Sequence, residues 1–396
     1  MTPYYQTPDG KVTLHHGHVL DVLREMPAES VNCCVTSPPY WSLRKYDCEP
    51  VVWGGESTCD HEWTDGPSHE AFMGASRWQH ADKEGRADEH ISRKTMPDAW
   101  GQVQQGSTCR RCGAFFGQYG LEPTPELYVE HTLMWLREVR RVLRKDGTLW
   151  LNMGDGYASQ GGAKSEASYA SAGTGSNANR DPALEVKQRG KPPDGLKPKD
   201  AVLMPFRVAL AAQAEGFWVR SVIIWAKPNP MPESVRDRPT DAHEYIFLLT
   251  KSKTYWYDAD AVREAMLPES IQRFDYAFKG DPIRNANGVE AHHGRGFMRS
   301  DEPHPPNPNG RNCRSVWTFP TEPYPDAHFA VFPRELPERC IKAGAPVDGV
   351  VLDPFAGSGT TCEVAYHLGR NAIGIDASAK YLDMAIERVK QGVLAL

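Results

Sequence analysis

The stretch VVLDPFAGSGTTCEVAYHLGRNAIGID, residues 350–376, decides the fold of this chain. It opens with a short apolar run, residues 350–352, which predicts a buried strand. Residues 353–359 interrupt this run with glycines, residues 360–368 have a helical pattern, and residues 371–376 predict a second strand. The result is half of a βαβ unit with a glycine turn after its first strand. Because open α/β sheets bind ligands at the carboxyl ends of their strands, the stretch predicts a ligand site.

The chemistry of the turn excludes two common nucleotide-binding motifs. A P-loop has a lysine after its last glycine, whereas Thr360 follows Gly359 here. A dinucleotide fingerprint needs a third small residue near Cys362, and an acidic Asp353 would repel a pyrophosphate. That acid instead suits a cationic ligand with an amino group and a sulfonium, while Asp376 is placed to accept hydrogen bonds from a ribose. A glycine turn without a ligand is the alternative for this stretch alone.

Length and composition limit the class of protein. The 396 residues suffice for one large domain with inserts or for two domains. The formal net charge of −6 gives no overall basic field for nucleic acid, although a local basic cleft remains compatible with it. No apolar run approaches the ~20 residues of a membrane span, and no charged and then apolar leader begins the sequence. We therefore expect a cytoplasmic protein whose nine cysteines are core thiols and metal ligands.

A second motif follows the apolar strand predicted at residues 31–35. It reads Thr-Ser-Pro-Pro-Tyr-Trp over residues 36–41. The two prolines fix the backbone and remove two donors, which leaves carbonyl groups free to accept hydrogen bonds. Ser37 adds a hydroxyl, and Tyr40 and Trp41 add flat stacking surfaces. Rigid acceptors beside an aromatic ring suit a planar base held by its exocyclic amine, although a proline-rich turn is the alternative for this motif alone.

Residues 49–120 have the polar, aperiodic composition of an insertion and carry two candidate metal-binding pairs. Cys59 and His61 form one pair, and Cys109 and Cys112 form the other. A Cys-x-x-Cys knuckle with a further thiol and an imidazole makes a tetrahedral Cys3His zinc set. Because four protein ligands leave no open coordination position, such a zinc ion would be structural. The alternative is two unrelated pairs with reduced thiols.

Two further segments lack a regular pattern. Residues 158–200 are rich in Gly, Ser and Asn and then in Lys and Pro, which predicts a mobile loop with a basic second half. This loop is either a solvated linker or a segment that meets a phosphate backbone. Residues 258–312 are either disordered or a target-recognition region. Periodicity elsewhere predicts a helix at 125–143 and buried strands at 148–152, 217–225 and 243–250.

The order of the motifs resembles the amino-group DNA methyltransferases of the β arrangement, in which the catalytic motif precedes the cofactor motif. The match rests on residues 36–41 and 353–360, and family-like segments occur at 227–234 and 328–330. The resemblance implies an S-adenosylmethionine-dependent enzyme of the α/β class. Its expected architecture is a seven-stranded, mostly parallel sheet flanked by helices, a Rossmann-like methyltransferase fold with permuted motif order and a zinc-stapled insert.

By motif match, the resemblance implies roles for individual residues. Catalytic roles fall to Ser37, Pro38, Pro39 and Tyr40. Cofactor contacts fall to the glycine turn, to the ribose-side acid and to a segment that packs beside the cofactor: Asp353, Phe355, Gly357, Ser358, Gly359, Thr360, Asp376, His328 and Phe329. The residue after Gly17 is often acidic in this family but is His18 here, and we assign it no cofactor contact.

The resemblance also predicts how the chain is divided and what it binds. The catalytic half of the core is 1–48, the zinc-binding insert is 49–120, the core continues over 121–257 with the loop 158–200, the target-recognition region is 258–312, and the cofactor-binding half is 313–396. Double-stranded DNA is the implied partner, with no membrane, in a bacterial or phage-encoded cytoplasmic enzyme. A homodimer and a cognate restriction enzyme remain open.

The implied reaction moves a methyl group from S-adenosylmethionine to the exocyclic amine of a base flipped out of the duplex. Family members with serine at the first motif position mostly act on N4 of cytosine, and those with Asp or Asn mostly on N6 of adenine. We therefore favour cytosine N4, with adenine N6 as the alternative. More distant alternatives are an RNA or protein-amide methyltransferase, most of which place the glycine loop first, and a zinc-containing DNA-binding protein without catalysis.

Overall fold

The computed structural model describes residues 2–42, 46, 48–64, 106–158, 195–267, 307–322 and 332–394. Most of the loop 158–200 and most of the region 258–312 lie outside these ranges, as do His328 and Phe329. Among the described residues, none of the helices combines the length and the apolar character needed to cross a bilayer.

A mixed β-sheet organises the described residues. The strands are Tyr5–Gln6 (β1), Val12–His16 (β2), Val31–Thr36 (β3), Val51–Trp53 (β4), Ser107–Thr108 (β5), Phe115–Gly117 (β6), Leu143–Met153 (β7), Trp218–Ala226 (β8), His243–Thr250 (β9), Val316–Thr318 (β10), Val350–Asp353 (β11) and Asn371–Asp376 (β12). The main sheet has the order β1-β2-β12-β11-β3-β7-β9-β8-β10. Strands β2, β12, β11, β3 and β7 are parallel neighbours, whereas β9 runs antiparallel to both β7 and β8.

The sheet is mostly parallel, as expected, but the predicted count of seven strands is wrong for the described residues. A central block of seven strands, from β2 to β8 in sheet order, is extended by β1 at one edge and by β10 at the other. The added strands are only two and three residues long. Strands this short carry too few residues to produce an alternating pattern, so periodicity could not predict them.

Helices cover both faces of this sheet. They are Val19–Glu25 (α1), Pro125–Val142 (α2), Met204–Ala214 (α3), Glu335–Gly344 (α4), Thr360–His367 (α5) and Ala379–Leu394 (α6). Buried side chains of α1, α2 and α3 belong to one hydrophobic cluster, and those of α4, α5 and α6 belong to a second. Because successive strand residues point to opposite faces, Cys34 joins the first cluster and Cys33 the second. Both thiols are fully buried, as expected of core cysteines.

Helix α2 shows how local sequence sets an element of this layer. The Thr124 side chain accepts a hydrogen bond from the Leu127 N–H at 3.2 Å, and Pro125 occupies the first turn, where no N–H partner is needed. Its buried residues recur every three or four positions, and Trp135 among them is fully buried. The helix predicted at 125–143 is therefore confirmed to within one residue.

Strand direction brings both sequence motifs to one edge of the sheet. Strand β3 ends at Thr36 and its parallel neighbour β11 ends at Asp353, so the segments that follow them begin side by side. The Thr36 hydroxyl donates a hydrogen bond to Asp353 Oδ1 at 2.7 Å, across 317 residues of sequence. Because β9 runs in the opposite direction, its first residues, His243 and Glu244, start at this same edge.

The described parts of residues 49–120 form a separate antiparallel sheet in the order β4-β6-β5. Trp53 on β4 and Phe115 on β6 are nevertheless buried in the first core cluster, together with Tyr119. The ends of this segment therefore contribute aromatic side chains to the main core, which its low periodicity did not indicate.

Candidate functional site

The two glycines of the turn after β11 serve different purposes. Gly357 and Gly359 both adopt left-handed backbone angles, with φ of +51° and +79°. A Cβ on Gly359 would lie 2.6 Å from the Cβ of Ala385, so this glycine lets α5 pack closely against α6. A Cβ on Gly357 would meet nothing within 4 Å. Gly357 is therefore the position at which the turn presents bare backbone to open space.

Asp353 is held inside the protein rather than at its surface. Its side chain is 1% exposed, and its carboxylate accepts hydrogen bonds from the hydroxyls of Thr36 and Thr361, each at 2.7 Å. The Phe355 N–H adds a third bond at 3.1 Å. Burial raises the pKa of Asp353 to about 6, although these three donors oppose the shift. The carboxyl thus ties the end of β3 to the glycine turn, and its expected contact with the cofactor stays a prediction.

The polar residues in and around the turn differ in their hydrogen-bond partners. Asp376 accepts a hydrogen bond from the Gly357 N–H at 2.8 Å and one from the Ser378 N–H at 2.8 Å, and burial raises its pKa. The Ser358 hydroxyl is buried and has no hydrogen-bond partner within the described residues. Thr360 is also buried, but its hydroxyl accepts from Arg388 of α6. Ser358 in the turn and Asp376 at the end of β12 are therefore the polar groups available to a ligand, while Thr360 is engaged by the neighbouring helix.

Aromatic side chains connect the glycine turn to the proline motif. The ring of Phe355 stacks on Tyr119, with centroids 5.6 Å apart, and Tyr119 stacks on Tyr128 at 5.0 Å. The Tyr128 hydroxyl then donates to the carbonyl of Pro39 at 2.9 Å. This continuous column holds the segments after β3 and β11 at a fixed separation.

Within the proline motif, Pro38 is buried while Ser37, Pro39 and Tyr40 are partly exposed. The Pro39 carbonyl is occupied by Tyr128, so it is not a free acceptor as it stands. The Ser37 hydroxyl donates to the Tyr40 hydroxyl at 3.0 Å. Gly154, at the end of β7, leaves room for the Tyr40 ring, since a Cβ there would lie 2.8 Å from ring atom Cε2.

Three residues that the sequence analysis did not single out complete this cluster. Glu244 accepts a hydrogen bond from the Tyr40 hydroxyl at 2.8 Å and one from Asn152 Nδ2 at 2.9 Å, and it forms an ion pair with Lys227. Burial, and then the charge of Glu244, raise the pKa of Tyr40 well above its ordinary value. The available signal was an acid at the start of an otherwise apolar strand, HEYIFLLT, and a lysine just after another strand.

The four predicted metal ligands come together in the structure. One ligand atom from each of Cys59, His61, Cys109 and Cys112 lies within 4.8 Å of all the others. The sulfurs of Cys59 and Cys109 are 4.0 Å apart, and Cys112 Sγ is 3.4 Å from His61 Nδ1. These thiols form no disulfide. Zinc bound tetrahedrally by thiolates at ~2.3 Å separates its sulfurs by about 3.8 Å, so the spacing fits that ion.

The other predicted site residues are His328 and Phe329, which lie outside the described residues. His18, to which no contact was assigned, packs its ring against Trp53 with centroids 4.5 Å apart. The described residues with predicted catalytic, cofactor-binding or metal-binding roles thus occupy two places: the carboxyl edge of the main sheet and the segments beside the small sheet β4-β6-β5.

Comparisons with known proteins find a family model and relatives that match most of this chain. A family model described as a DNA methylase, of the N6/N4 type, matches residues 31–387. The type II methyltransferase M.SmaI of Serratia marcescens is 38% identical over 74% of this chain and 82% of its own length. The type II methyltransferase M.Cfr9I of Citrobacter freundii is 33% identical over 96% of this chain and 87% of its own.

A solved structure supports the fold independently. The PvuII DNA methyltransferase, described as cytosine-N4-specific, aligns with a TM-score of 0.52 over 98% of this chain and 88% of that one. At 17% identity the likeness concerns the fold alone. The conclusion about the activity rests on the family match and on the two methyltransferase relatives. They confirm the expected S-adenosylmethionine-dependent methylation of a DNA amino group, but they do not distinguish cytosine N4 from adenine N6. The chain belongs to the N6/N4 family of DNA methylases.

Proposed function

We propose that this protein is a site-specific methyltransferase of double-stranded DNA that acts on the exocyclic N4 amine of cytosine. The observation that carries this choice is Ser37, a serine at the first position of the proline motif, whose hydroxyl lies at the edge of the sheet that also bears the glycine turn. Adenine N6 is the alternative, since the chemistry of the two amines is the same.

The residues of the glycine turn suit S-adenosylmethionine. Open space above Gly357 admits a ligand close to the backbone, and the buried Ser358 hydroxyl offers a hydrogen bond that no protein group takes up within the described residues. Asp376 keeps lone pairs for a ribose hydroxyl, because each carboxylate oxygen can accept more than the one bond it has. When bound, the cofactor supplies an electrophilic methyl group on a sulfonium.

The proline motif suits the target base. A duplex hides the amine, so the nucleotide is first flipped out, which costs a few kcal/mol. The Tyr40 ring provides a stacking platform for the extruded base, and such stacking contributes about 1–3 kcal/mol. The Ser37 hydroxyl and the Pro38 carbonyl accept hydrogen bonds from the two N–H groups of the amine. These hydrogen bonds draw the nitrogen lone pair out of conjugation with the ring.

Catalysis then rests on positioning and electrostatics. With S-adenosylmethionine bound, the proline motif would hold the amine nitrogen in line with the methyl group that the cofactor supplies. The nitrogen lone pair would take up the methyl carbon as the carbon–sulfur bond breaks, and the surplus proton of the methylated amine would pass to solvent water. Holding donor and acceptor in line at the junction of two strand ends accounts for the acceleration, and no covalent link to the protein is needed. In agreement, the sequence contains no Pro-Cys pair of the kind that serves carbon methylation.

The Cys3His cluster is proposed to hold one structural zinc ion through Cys59, His61, Cys109 and Cys112. Four protein ligands fill a tetrahedral shell, so the ion would stabilise the insert and take no part in methyl transfer. Because Trp53 of the same small sheet is buried in the main core, the ion would also fix the attachment of the insert to the enzyme.

The type II relatives favour a cognate restriction enzyme as a partner that shares the recognition sequence. Within the chain, the loop 158–200 and the region 258–312 are proposed to meet DNA, the latter as the target-recognition region. Homodimer formation stays a prediction.

Methylation-aware sequencing of DNA from cells that express the chain tests the proposal, because it returns the base, the atom and the sequence context together. We expect N4-methylcytosine at one recurring motif, and a strongly reduced methylated fraction at that motif with Ser37→Ala. N6-methyladenine at a recurring motif would refute the choice of cytosine, and unmodified DNA from cells with folded protein would refute the proposed activity.

A further inference from the structure

Glu244 lies at the centre of a polar cluster under the proline motif. Only 16% of its side chain is exposed. Among the described residues its side-chain partners lie at or just beyond the ends of β3, β7 and β8, and they are Tyr40, Asn152 and Lys227. Burying a carboxylate is costly unless an opposite charge and hydrogen bonds compensate, and here Lys227 supplies the charge. Such a group in the middle of a candidate active site calls for a role in the chemistry.

The protons of the cluster can be assigned one by one. A carboxylate beside an ammonium group is an acceptor only, so the Tyr40 hydroxyl must donate its single proton to Glu244. The raised pKa of Tyr40 keeps that proton in place at neutral pH. The phenol oxygen is then left as an acceptor, and the Ser37 hydroxyl, 3.0 Å away, donates to it.

This assignment fixes the orientation of the Ser37 hydroxyl. A serine hydroxyl has one proton and two lone pairs and normally rotates to suit its surroundings. With its proton committed to Tyr40, Ser37 can offer only lone pairs to a ligand. An amine that must be held by its protons needs this orientation, whereas a rotated hydroxyl would donate to the nitrogen and compete for the lone pair that attacks.

We propose that Glu244 is a positioning residue that acts through Tyr40 to hold Ser37 as a hydrogen-bond acceptor for the target amine. The inference rests on the proposed function and adds a source of selectivity to it. A site whose hydroxyl can only accept favours bases with an amino group at this position over bases with a keto oxygen, because two acceptors would face each other.

The neighbouring Asn152 supports this account. Its Nδ2 donates to Glu244 at 2.9 Å and to the Tyr245 carbonyl at 3.3 Å, so both contacts use the amide as a donor. Its Oδ1 is buried and has no hydrogen-bond partner in the part of the chain that the structure describes. Buried polar atoms are seldom left unpaired, and a further acceptor beside Glu244 matches a ligand that brings N–H groups.

Glu244→Gln tests the proposal, because it keeps the shape of the side chain and removes the obligate acceptor. With purified protein, cognate DNA and S-adenosylmethionine, we expect kcat to fall about 10- to 100-fold, the usual effect of removing a group that orients a functional side chain. The KM for DNA and the Kd for S-adenosylmethionine should change less than about twofold. Glu215→Gln is the matched control, since it breaks an exposed ion pair with Arg137 far along the chain from these motifs and should leave kcat unchanged.

The kcat of a double variant at Glu244 and Ser37 distinguishes a positioning role of Glu244 from a merely structural one. If Glu244 acts through Ser37, Glu244→Gln has no further effect on kcat in a Ser37→Ala background. An equal further loss in that background would overturn the proposal, as would wild-type kcat for Glu244→Gln alone. Tyr40→Phe, which removes the connecting hydroxyl and keeps the ring, should reproduce the loss in kcat and decides the matter if Glu244→Gln does not fold. Absence of amine methylation by the wild-type protein would instead refute the proposed function.

Discussion

Alanine should lower stability more at Gly359 than at Gly357, and it should lower cofactor affinity more at Gly357 than at Gly359. Either substitution places a side chain at a left-handed φ, which costs about 1 kcal/mol of folding free energy. At Gly359 the new Cβ would also lie 2.6 Å from Ala385 Cβ, and overpacking of this kind adds about 1–3 kcal/mol. We therefore expect Gly359→Ala to lower the free energy of unfolding by about 2–4 kcal/mol, and Gly357→Ala by about 1 kcal/mol.

The affinity for S-adenosylmethionine should fall more in Gly357→Ala than in Gly359→Ala. The backbone strain is present with and without ligand and largely cancels in binding, whereas a methyl group on Gly357 would enter the open space assigned to the cofactor. Displacing a ligand at close packing costs about 1–3 kcal/mol, which corresponds to about 5- to 150-fold in Kd.

Urea unfolding and calorimetry with S-adenosylmethionine on both variants measure the two quantities. Gly359→Ala should keep its Kd within about twofold, at temperatures where it is folded. An unchanged Kd for Gly357→Ala would show that the cofactor does not pass over this residue, and the assignment of the turn would be refuted.

Two further predictions concern the insert and the buried acid. Replacing Cys109 and Cys112 with Ser should abolish bound zinc, measured by metal analysis, and lower the melting temperature without abolishing cofactor binding. The control variant Cys313→Ser should retain the metal. Wild-type protein without zinc would contradict the assignment of the ligands. Asp353→Asn removes a carboxyl whose pKa burial raises to about 6, against ~3.9 in the unfolded chain. The folded state binds this proton more tightly, so the stability of the wild type relative to the variant should be highest below about pH 4 and fall by about 3 kcal/mol as the pH rises past about 6. Urea unfolding of both proteins across this range measures the difference, and a pH-independent difference would disprove the burial argument.

Local sequence was sufficient for elements whose signal lies within a few residues. The turn from Asp353 to Gly359, the strand that ends at Thr36 and the capped helix that begins at Pro125 each carry their own pattern, and the structure has them where expected. The convergence of the four candidate metal ligands could also be predicted, because Cys-x-x-Cys and Cys-x-His are short motifs whose pairing needs only one long-range contact.

Contacts that depend on strand order could not be predicted from local sequence. Glu244 reaches Tyr40 across 204 residues only because β9 runs antiparallel between β7 and β8. An acid at the start of an apolar strand marks Glu244 in the sequence, but it does not indicate which strands lie beside it. The engagement of the Pro39 carbonyl by Tyr128 likewise requires α2 to lie under the proline motif. Such partners belong to the packed fold rather than to either segment, which is why motif matching predicted roles for Ser37 and Tyr40 but did not indicate their contact with Glu244.

The central claim is that strand ends from the two extremes of the chain form one pocket, in which Ser37 holds a base amine against the methyl donor. Mass spectrometry of nucleosides, after reaction of purified protein with duplex DNA and S-adenosylmethionine, tests it most directly. The wild type should produce N4-methylcytosine, and Ser37→Ala should produce it on the order of 100-fold more slowly while binding the cofactor with unchanged affinity. Methylation by Ser37→Ala at the wild-type rate, or an equal loss of cofactor affinity and turnover, would contradict the claim.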